Sequence, residues 1–209
     1  MKIECFEVGI AGANCYLVIN EATKECVAVD PGGTSAALRD YLNDGDLKVK
    51  AVLLTHGHFD HIMGITDMIG TDSKEPVYVY VDDQDFLKDE NLNASKSFVQ
   101  SGYVYPDGIS VTDGQELKLI GFTFQVIHTP GHTPGSCCYY MKEEKVLFSG
   151  DTLFKTSIGR TDLAGGSDEI YASIKERLFT LPEEVEVYPG HMSKTTIGYE
   201  KKYNPYVRS

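Results

Sequence analysis

The chain is short of positive charge. Its 209 residues contain 19 lysines and arginines against 31 aspartates and glutamates, which gives a formal net charge of −12 at pH 7. A nucleic-acid surface needs clustered basic side chains to neutralise phosphates. The basic clusters, within 142–145 and at Lys201 and Lys202, are short and mixed with glutamates. We therefore expect no nucleic-acid partner.

Long apolar runs are also lacking. No stretch approaches the roughly 20 apolar residues that a membrane-spanning helix needs. The first residues, Met1 to Phe6, do not show the positively charged lead and apolar segment of an export signal. We therefore expect a cytoplasmic protein without membrane contact. A secreted enzyme, such as one that hydrolyses antibiotics outside the cell, would need an export signal, so this expectation disfavours that class of enzyme.

Cys-x-x-Cys spacings and low-complexity linkers are absent from the sequence as well. The cysteines are odd in number and lie mostly in strand-like segments: Cys5, Cys15, Cys26, Cys137 and Cys138. This pattern predicts reduced thiols packed in the core, without a redox role. With 42% apolar residues the chain can bury one substantial core. We predict a single domain over residues 1–209.

What the sequence does contain is a dense run of metal-ligating residue types, His56-Gly57-His58-Phe59-Asp60-His61. Imidazoles and carboxylates at this density either repel and titrate or share a divalent cation. If 51–54 forms a buried strand, the chain that follows it is extended. The side chains of His56 and His58, two residues apart, then face the same side and can meet at one point. Asp60 and His61 come after a bend and can face a second point nearby.

Three further candidates stand in loops after apolar, strand-like runs. His132 follows 122–127, Asp151 follows 146–148 and His191 follows 185–187. Open α/β sheets build their sites at such strand ends. We therefore expect these three side chains to join the histidine run in one metal centre.

The motifs together resemble the metallo-β-lactamase fold superfamily. The resemblance covers nearly the whole chain and rests on Val29-Asp30-Pro31-Gly32-Gly33, the histidine run, Pro130-Gly131-His132-Thr133-Pro134-Gly135-Ser136, Gly150-Asp151-Thr152-Leu153-Phe154 and Tyr188-Pro189-Gly190-His191. It implies an α/β protein built as a four-layer αββα sandwich. It also implies a ligand set in which His56, His58 and His132 hold one metal, Asp60, His61 and His191 hold a second, and Asp151 bridges them.

The order of predicted elements is compatible with that fold, although the pattern alone gives only strands flanked by helices. Strands are predicted at 15–19, 26–29, 49–54, 77–81, 116–119, 122–127, 136–141, 145–148 and 185–188. Helices are predicted at 34–42, 61–69, 82–88 and 167–179. In the last helix, Ser167 can cap the first turn and apolar residues recur every four positions.

Within the superfamily the chain is most similar to small, single-domain relatives of hydroxyacylglutathione hydrolase (glyoxalase II). The similarity rests on 151–154, 158–162 and 195–205. Longer members place a tyrosine where this chain has Asp162, while Arg160 keeps the positive charge. The resemblance implies a hydrolase of a small-molecule thioester, acting as a monomer or small homo-oligomer. Whether the thiol part is glutathione stays open.

The predicted chemistry follows from the donor types. Two cations about 3.5–4 Å apart can share one water and lower its pKa from 15.7 to around 7. A thiolate, whose parent thiol has a pKa of about 8.5, leaves without much help from an acid. A thioester therefore suits this site better than an amide, and Asp60 is the best-placed carboxylate to take the released proton. Five imidazoles and two carboxylates suit zinc, with iron or manganese as alternatives.

Two other functions remain open at this point. Persulfide dioxygenases have a similar fold and share Gly159-Arg160-Thr161-Asp162, but use one iron held by the equivalents of His56, His132 and Asp151. A scaffold protein with a silent metal site predicts damaged ligands, and none is damaged.

Several residues near these motifs carry alternative interpretations. Arg160 either meets a substrate carboxylate or pairs with Asp162. Asp30 either shapes a turn or supports the metal loop, and His128 is expected to be a hydrogen-bonded structural residue. Phe98, Tyr103 and Tyr105, in the loop-like stretch 91–108, either cover the pocket or pack.

Overall fold

The computed structural model describes residues 1–207, and its framework is two six-stranded sheets. The strands of the first sheet follow chain order: β1 (Lys2–Val8), β2 (Ala13–Asn20), β3 (Glu25–Val29), β4 (Lys48–Leu53), β5 (Val77–Tyr80) and β6 (Ile109–Val111). The β1–β3 pairs are antiparallel, and the β3–β6 pairs are parallel. The carboxyl ends of β3, β4 and β5 therefore share one edge of the sheet.

The second sheet is largely antiparallel. Its strands are β7 (Glu116–Leu119), β8 (Phe122–His128), β9 (Cys137–Met141), β10 (Val146–Gly150), β13 (Glu186–Pro189) and β14 (Thr195–Thr196), in the order β14-β13-β10-β9-β8-β7. Only the β10–β13 pair is parallel. A small hairpin of β11 (Leu153–Phe154) and β12 (Ser157–Ile158) follows β10.

Three apolar clusters arrange these elements in four layers. Tyr16, Phe124, Tyr139 and Phe148 belong to the cluster that fills the space between the sheets. A second cluster joins the outer face of the first sheet to the helices next to it, and a third does the same for the second sheet. Along β9, Cys137 faces the inner cluster and Cys138 the outer one, as strand alternation requires. The predicted αββα sandwich is confirmed.

The helices are α1 (Ala36–Asp44), α2 (Phe59–Ile62), α3 (Ile65–Ile69), α4 (Ser95–Phe98), α5 (Glu169–Ala172) and α6 (Ile197–Tyr203). Three of the four predicted helices differ from the structure, whereas α1 has the length of the predicted helix 34–42 and begins two residues later. The predicted helix 61–69 is wrong as one element, because the chain breaks between α2 and α3. There the Gly64 N–H donates to the Pro31 carbonyl at 2.7 Å, and a Cβ on Gly64 would lie 2.6 Å from the Gly33 oxygen.

Two other predicted helices need correction. Within 82–88 only a single 3₁₀ turn, Val81–Asp83, is helical. The predicted helix 167–179 is α5 continued by a π-helical segment, Ser173–Leu178. Ser167 Oγ accepts a long hydrogen bond (3.4 Å) from the Glu169 N–H, but Asp168 occupies the N-cap position.

Strand β1 and helix α6 were not predicted, and the supposed loop 91–108 contains α4. Four of the five cysteines are buried as expected, whereas Cys5 is exposed. Across residues 1–207, every helix is too short or too polar to cross a membrane.

Candidate metal centre

The histidine run leaves the sheet directly after β4 and is fixed there by Asp30, at the end of β3. Asp30 accepts hydrogen bonds from the Thr55 backbone N–H at 2.7 Å and the Thr55 hydroxyl at 2.6 Å. Asp30 itself adopts a positive φ of 52°. Both interpretations of Asp30 therefore apply, since it shapes the turn after β3 and also holds the start of the metal loop.

His56, His58 and His132 form what we call the first group. The Nδ1 of His58 lies 2.9 Å from the Nε2 of His132, which lies 3.2 Å from the Nε2 of His56. All three side chains are buried. Nitrogens bound at 2.0–2.1 Å to one tetrahedral zinc ion lie about 3.3 Å apart. The spacing of this group is thus close to that of ligands around one cation.

Asp60, His61 and His191 form the second group. The Nε2 of His191 lies 3.3 Å from the Oδ2 of Asp60, which lies 3.9 Å from the Nε2 of His61. His61 is fully buried, while Asp60 and His191 are partly exposed toward the cavity described below. The ligand atoms of this group are close enough to one another to hold a metal ion.

Asp151 lies between the two groups. Its Oδ2 is 3.6 Å from the Nε2 of His132, in the first group, and 3.6 Å from the Nε2 of His191, in the second. Its Oδ1 is 3.5 Å from the Nε2 of His61. Asp151 thus lies beside both groups, and the structure brings all seven predicted ligands together.

The two groups differ in their affinity for protons. Burial lowers the pKa of His56 and His58, that of His58 to about 3, and neighbouring imidazoles lower both further. Burial also acts on His61, but Asp151, Asp60 and Asp30 outweigh it and raise its pKa to about 10. His56 and His58 are therefore neutral donors, whereas the second group includes cationic and anionic side chains.

Unsatisfied polar atoms indicate that the cluster suits a cation. Among residues 1–207, the Nε2 of His58, both ring nitrogens of His61 and the Oδ1 of Asp151 are buried without a hydrogen-bond partner. The Nδ1 of His61 lies 3.1 Å from the Oδ2 of Asp30, but the direction of the N–H does not suit a hydrogen bond, so this contact is an ion pair. Unpaired buried polar atoms are costly, and imidazole and carboxylate are common ligands of divalent metals. The cluster is able to bind metal ions.

Backbone and hydroxyl contacts orient the ligands from behind. His132 Nδ1 lies 2.7 Å from the Arg160 carbonyl, which fixes the N–H on that side and directs Nε2 to the centre. The His191 loop is held by the first sheet. Asn14 Nδ2 donates to the carbonyls of Pro189 (2.9 Å) and Met192 (2.8 Å).

Asp83 is a supporting residue that sequence reasoning missed. It is fully buried, and its carboxylate accepts from the Gly57 N–H (2.8 Å), the Thr133 hydroxyl (2.8 Å) and the Gly135 N–H (2.7 Å). It thereby joins the loop of His56 and His58 to the loop of His132. A signal was available, because Asp83 lies three residues past the end of β5, at the same sheet edge as the proposed ligands.

The other predicted residues divide between the site and the packing. Arg160 lines the cavity but pairs with Asp162, as the second interpretation expects. His128 is structural, since it stacks on Tyr80 at 4.0 Å and donates to the Pro134 carbonyl at 2.9 Å. Phe98 lines the cavity, whereas Tyr103 and Tyr105 pack against the outer cluster of the first sheet.

A cavity of about 400 Å³ opens over Asp151 and over residues of both groups. Its floor is formed by His58, Asp60, His132, Asp151 and His191. Its walls are mostly apolar: Ala11, Phe59, Ala94, Phe98, Phe154, Ile158, Leu163 and Met192. A small molecule in this cavity would touch the ligand cluster from one side only.

The chain is similar to a known protein family and to several curated proteins. The family model of the metallo-beta-lactamase superfamily matches residues 8–191. Among curated relatives, a probable metallo-hydrolase, YqgX of Bacillus subtilis, is 38% identical over 99% of this chain and 98% of its own. Hydroxyacylglutathione hydrolase GloC of Haemophilus influenzae is 35% identical over 100% of this chain and 99% of its own.

The chain is also similar to solved structures of metallo-beta-lactamase-fold proteins. The crystal structure of BLEG-1, a B3 metallo-beta-lactamase, is 40% identical with a TM-score of 0.93, covering 100% of both chains. The di-iron-bound form of TTHA1623 is 35% identical with a TM-score of 0.82, covering 97% of this chain and 99% of its own. ETHE1 from Myxococcus xanthus is 29% identical with a TM-score of 0.75, covering 99% of this chain and 84% of its own.

Proposed function

Because the chain belongs to the metallo-beta-lactamase superfamily, we propose that it is a metal-dependent hydrolase of acyl thioesters, of the glyoxalase II type. It would convert a thioester and water to a carboxylic acid and a thiol. The observation that carries this proposal is the cavity floor, where His58, Asp60, His132, Asp151 and His191 face one space from four different loops.

We propose that two divalent ions bind at this floor, zinc first and iron or manganese as alternatives. The first group would hold one ion and the second group the other, with Asp151 between them. When bound, such ions supply a water of lowered pKa and polarise a carbonyl oxygen. TTHA1623 was solved with two iron ions, so metal analysis of this protein is the deciding measurement.

Asp60 is proposed to take the proton released when water attacks the carbonyl carbon. Burial opposes ionisation of its carboxylate, but His61 and the contact with His191 outweigh this and lower its pKa, so Asp60 is ionised and can accept a proton, although only as a weak base. Apart from the proposed ligands, the described residues that line the cavity include no acid able to protonate an amide nitrogen. A thiolate does not need one, so a thioester suits the cavity better than an amide.

The similarity to GloC supports a thioester substrate, since that relative is a hydroxyacylglutathione hydrolase. The second candidate is an iron-dependent persulfide dioxygenase, with which the similarity to ETHE1 is compatible. Its two-histidine, one-carboxylate set also exists here, because the Nε2 of His132 lies near both His56 and Asp151.

Metal analysis of the purified chain, combined with three assays, tests these functions. The assays are loss of S-D-lactoylglutathione absorbance, oxygen uptake with glutathione persulfide, and hydrolysis of a β-lactam, included because of BLEG-1. We expect thioester hydrolysis with two ions per chain. Turnover of the persulfide with one iron per chain, or of the β-lactam alone, would contradict the proposal. A protein that takes up no metal would contradict both candidates.

A further inference from the structure

The walls of the cavity are apolar where a substrate would extend away from the reacting carbonyl. Phe59 and Phe98 stack with ring centroids 5.2 Å apart and an angle of 13° between their planes. Phe98 remains 53% exposed and lines the cavity together with Met192, which is 58% exposed. Exposed apolar side chains gathered at the mouth of a site favour an apolar ligand.

Positive charge at the cavity is already compensated. Besides histidine, Arg160 is the only basic side chain among the described residues that line it. Its Nε and a terminal nitrogen contact both oxygens of Asp162, at 2.6 and 2.7 Å. This bidentate pairing occupies the Nε edge of the guanidinium and neutralises its charge, which weakens its attraction for a substrate carboxylate.

Other basic residues near the site do not replace Arg160. Lys194 pairs with Glu186 at 2.9 Å, and Lys155 lies over the Tyr199 ring at 6.0 Å. Neither lines the cavity. The overall charge of −12 also repels anionic substrates. An anionic thiol such as glutathione therefore finds little compensation here.

Building on the proposed thioester hydrolysis, we propose that this site selects thioesters with an uncharged, apolar arm that lies against Phe59 and Phe98, over thioesters of anionic thiols. The arm is either the acyl chain or the group on sulfur, since both flank the carbonyl. Asp162 acts as a specificity-determining residue, because it neutralises Arg160.

Two series of substrates test the apolar arm on the metal-loaded full chain. The first varies the acyl group from acetyl to hexanoyl on N-acetylcysteamine, and the second varies the S-alkyl group from methyl to hexyl on thioacetate. We expect kcat/KM to rise roughly twofold to fourfold for each added methylene in one of the two series. The lower factor corresponds to partial burial of the methylene against the cavity wall and the upper factor to full burial. The series that rises identifies the arm, and two flat series overturn the inference.

Variants assign the effect to the cavity. Phe98→Ser should lower the gain of the longest over the shortest substrate by at least about threefold, because it removes apolar contact area. Val104→Ser is the matched control, since Val104 is a similarly exposed apolar residue that does not line the cavity. An equal loss in both variants contradicts a role for Phe98.

The charge part is tested by the ratio of kcat/KM for acetylglutathione to that for acetyl-N-acetylcysteamine. We expect this ratio to be below one in the unmodified protein. Asp162→Asn should raise the ratio by up to about fivefold, because an exposed ion pair such as Arg160–Asp162 has an effect of that size. A ratio above one in the unmodified protein overturns the inference.

Calorimetry with non-hydrolysable thioethers separates this inference from the proposed function. S-hexyl-N-acetylcysteamine should bind more tightly than its S-methyl counterpart and than S-hexylglutathione. If this order holds while no thioester is hydrolysed, the proposed function fails and the ligand preference stands. If thioesters are hydrolysed but this order is absent, only the preference fails.

Discussion

The two groups of the candidate metal centre differ although Asp151 lies next to both. The first group contains three buried imidazoles and no carboxylate, and the pKa of His58 is lowered to about 3. The second group contains the carboxylate of Asp60, its imidazole of His61 has a pKa raised to about 10, and its Asp60 and His191 side chains are partly exposed. The same residue types thus acquire opposite properties from burial and from their charged neighbours.

This difference indicates how the site divides its tasks. A cation held by neutral imidazoles keeps most of its positive charge, whereas carboxylates neutralise a cation directly. The buried first group is suited to retaining an ion. The second group, which includes a carboxylate and has the partly exposed side chains Asp60 and His191, is suited to the exchange of water and protons. We therefore expect substitutions in the two groups to have different consequences.

The largest effect is expected from His58→Ala. This variant should fold but lose the ion of the first group, and its activity should fall by at least about a hundredfold. Metal content per chain, measured with circular dichroism on the same sample, checks this outcome. Full activity in His58→Ala would mean that the first group is wrongly assigned.

A smaller effect is expected from His191→Ala. His191 is the most exposed of the proposed ligands, so its loss should weaken the second ion and leave the first in place. We expect about one ion per chain and an activity loss of roughly tenfold to a hundredfold. Loss of both ions would show that the groups are not independent.

The supporting aspartates offer a further test. Asp83 contacts the loops of the first group, whereas Asp30 contacts His61 in the second group and also Thr55, which precedes His56. Asp83→Asn should weaken mainly the first ion, and Asp30→Asn should weaken both, each by roughly tenfold to a hundredfold. Competition with a chromophoric chelator measures both affinities. Asp82→Asn, at an exposed neighbouring position, serves as the control and should change neither.

The smallest effect concerns stability and pH. Burial raises the pKa of Asp83 from 3.8 to about 6, although three donors oppose this. Between pH 4 and 6 the folded protein therefore binds a proton that the unfolded chain has released. As pH falls from 6 to 4, the metal-free wild type should gain stability relative to Asp83→Asn, by at most about 1.4 kcal/mol per pH unit.

Urea unfolding in the presence of a chelator measures this difference. Above about pH 7 the stability difference between wild type and Asp83→Asn should no longer change with pH. A difference that stays constant from pH 4 to 7 would mean that Asp83 is ionised throughout this range.

The sequence was sufficient for the αββα sandwich and for the gathering of the seven proposed ligands, because each belongs to a recognisable motif that follows a strand. The sequence was insufficient for features that depend on contacts between distant parts of the chain. The break between α2 and α3 depends on the backbone of Pro31 and Gly33, which approaches Gly64 from a distant part of the chain. Asp83 looked like an ordinary first-turn helix residue, since its three donors lie in loops far away in sequence.

The anchoring of the His191 loop by Asn14 makes the candidate site depend on long-range folding. The Asn14 side chain contacts the carbonyls of Pro189 and Met192, which lie 175 and 178 residues further along the chain. His191 can therefore reach its place beside the other six candidate ligands only after these two distant parts of the chain have come together.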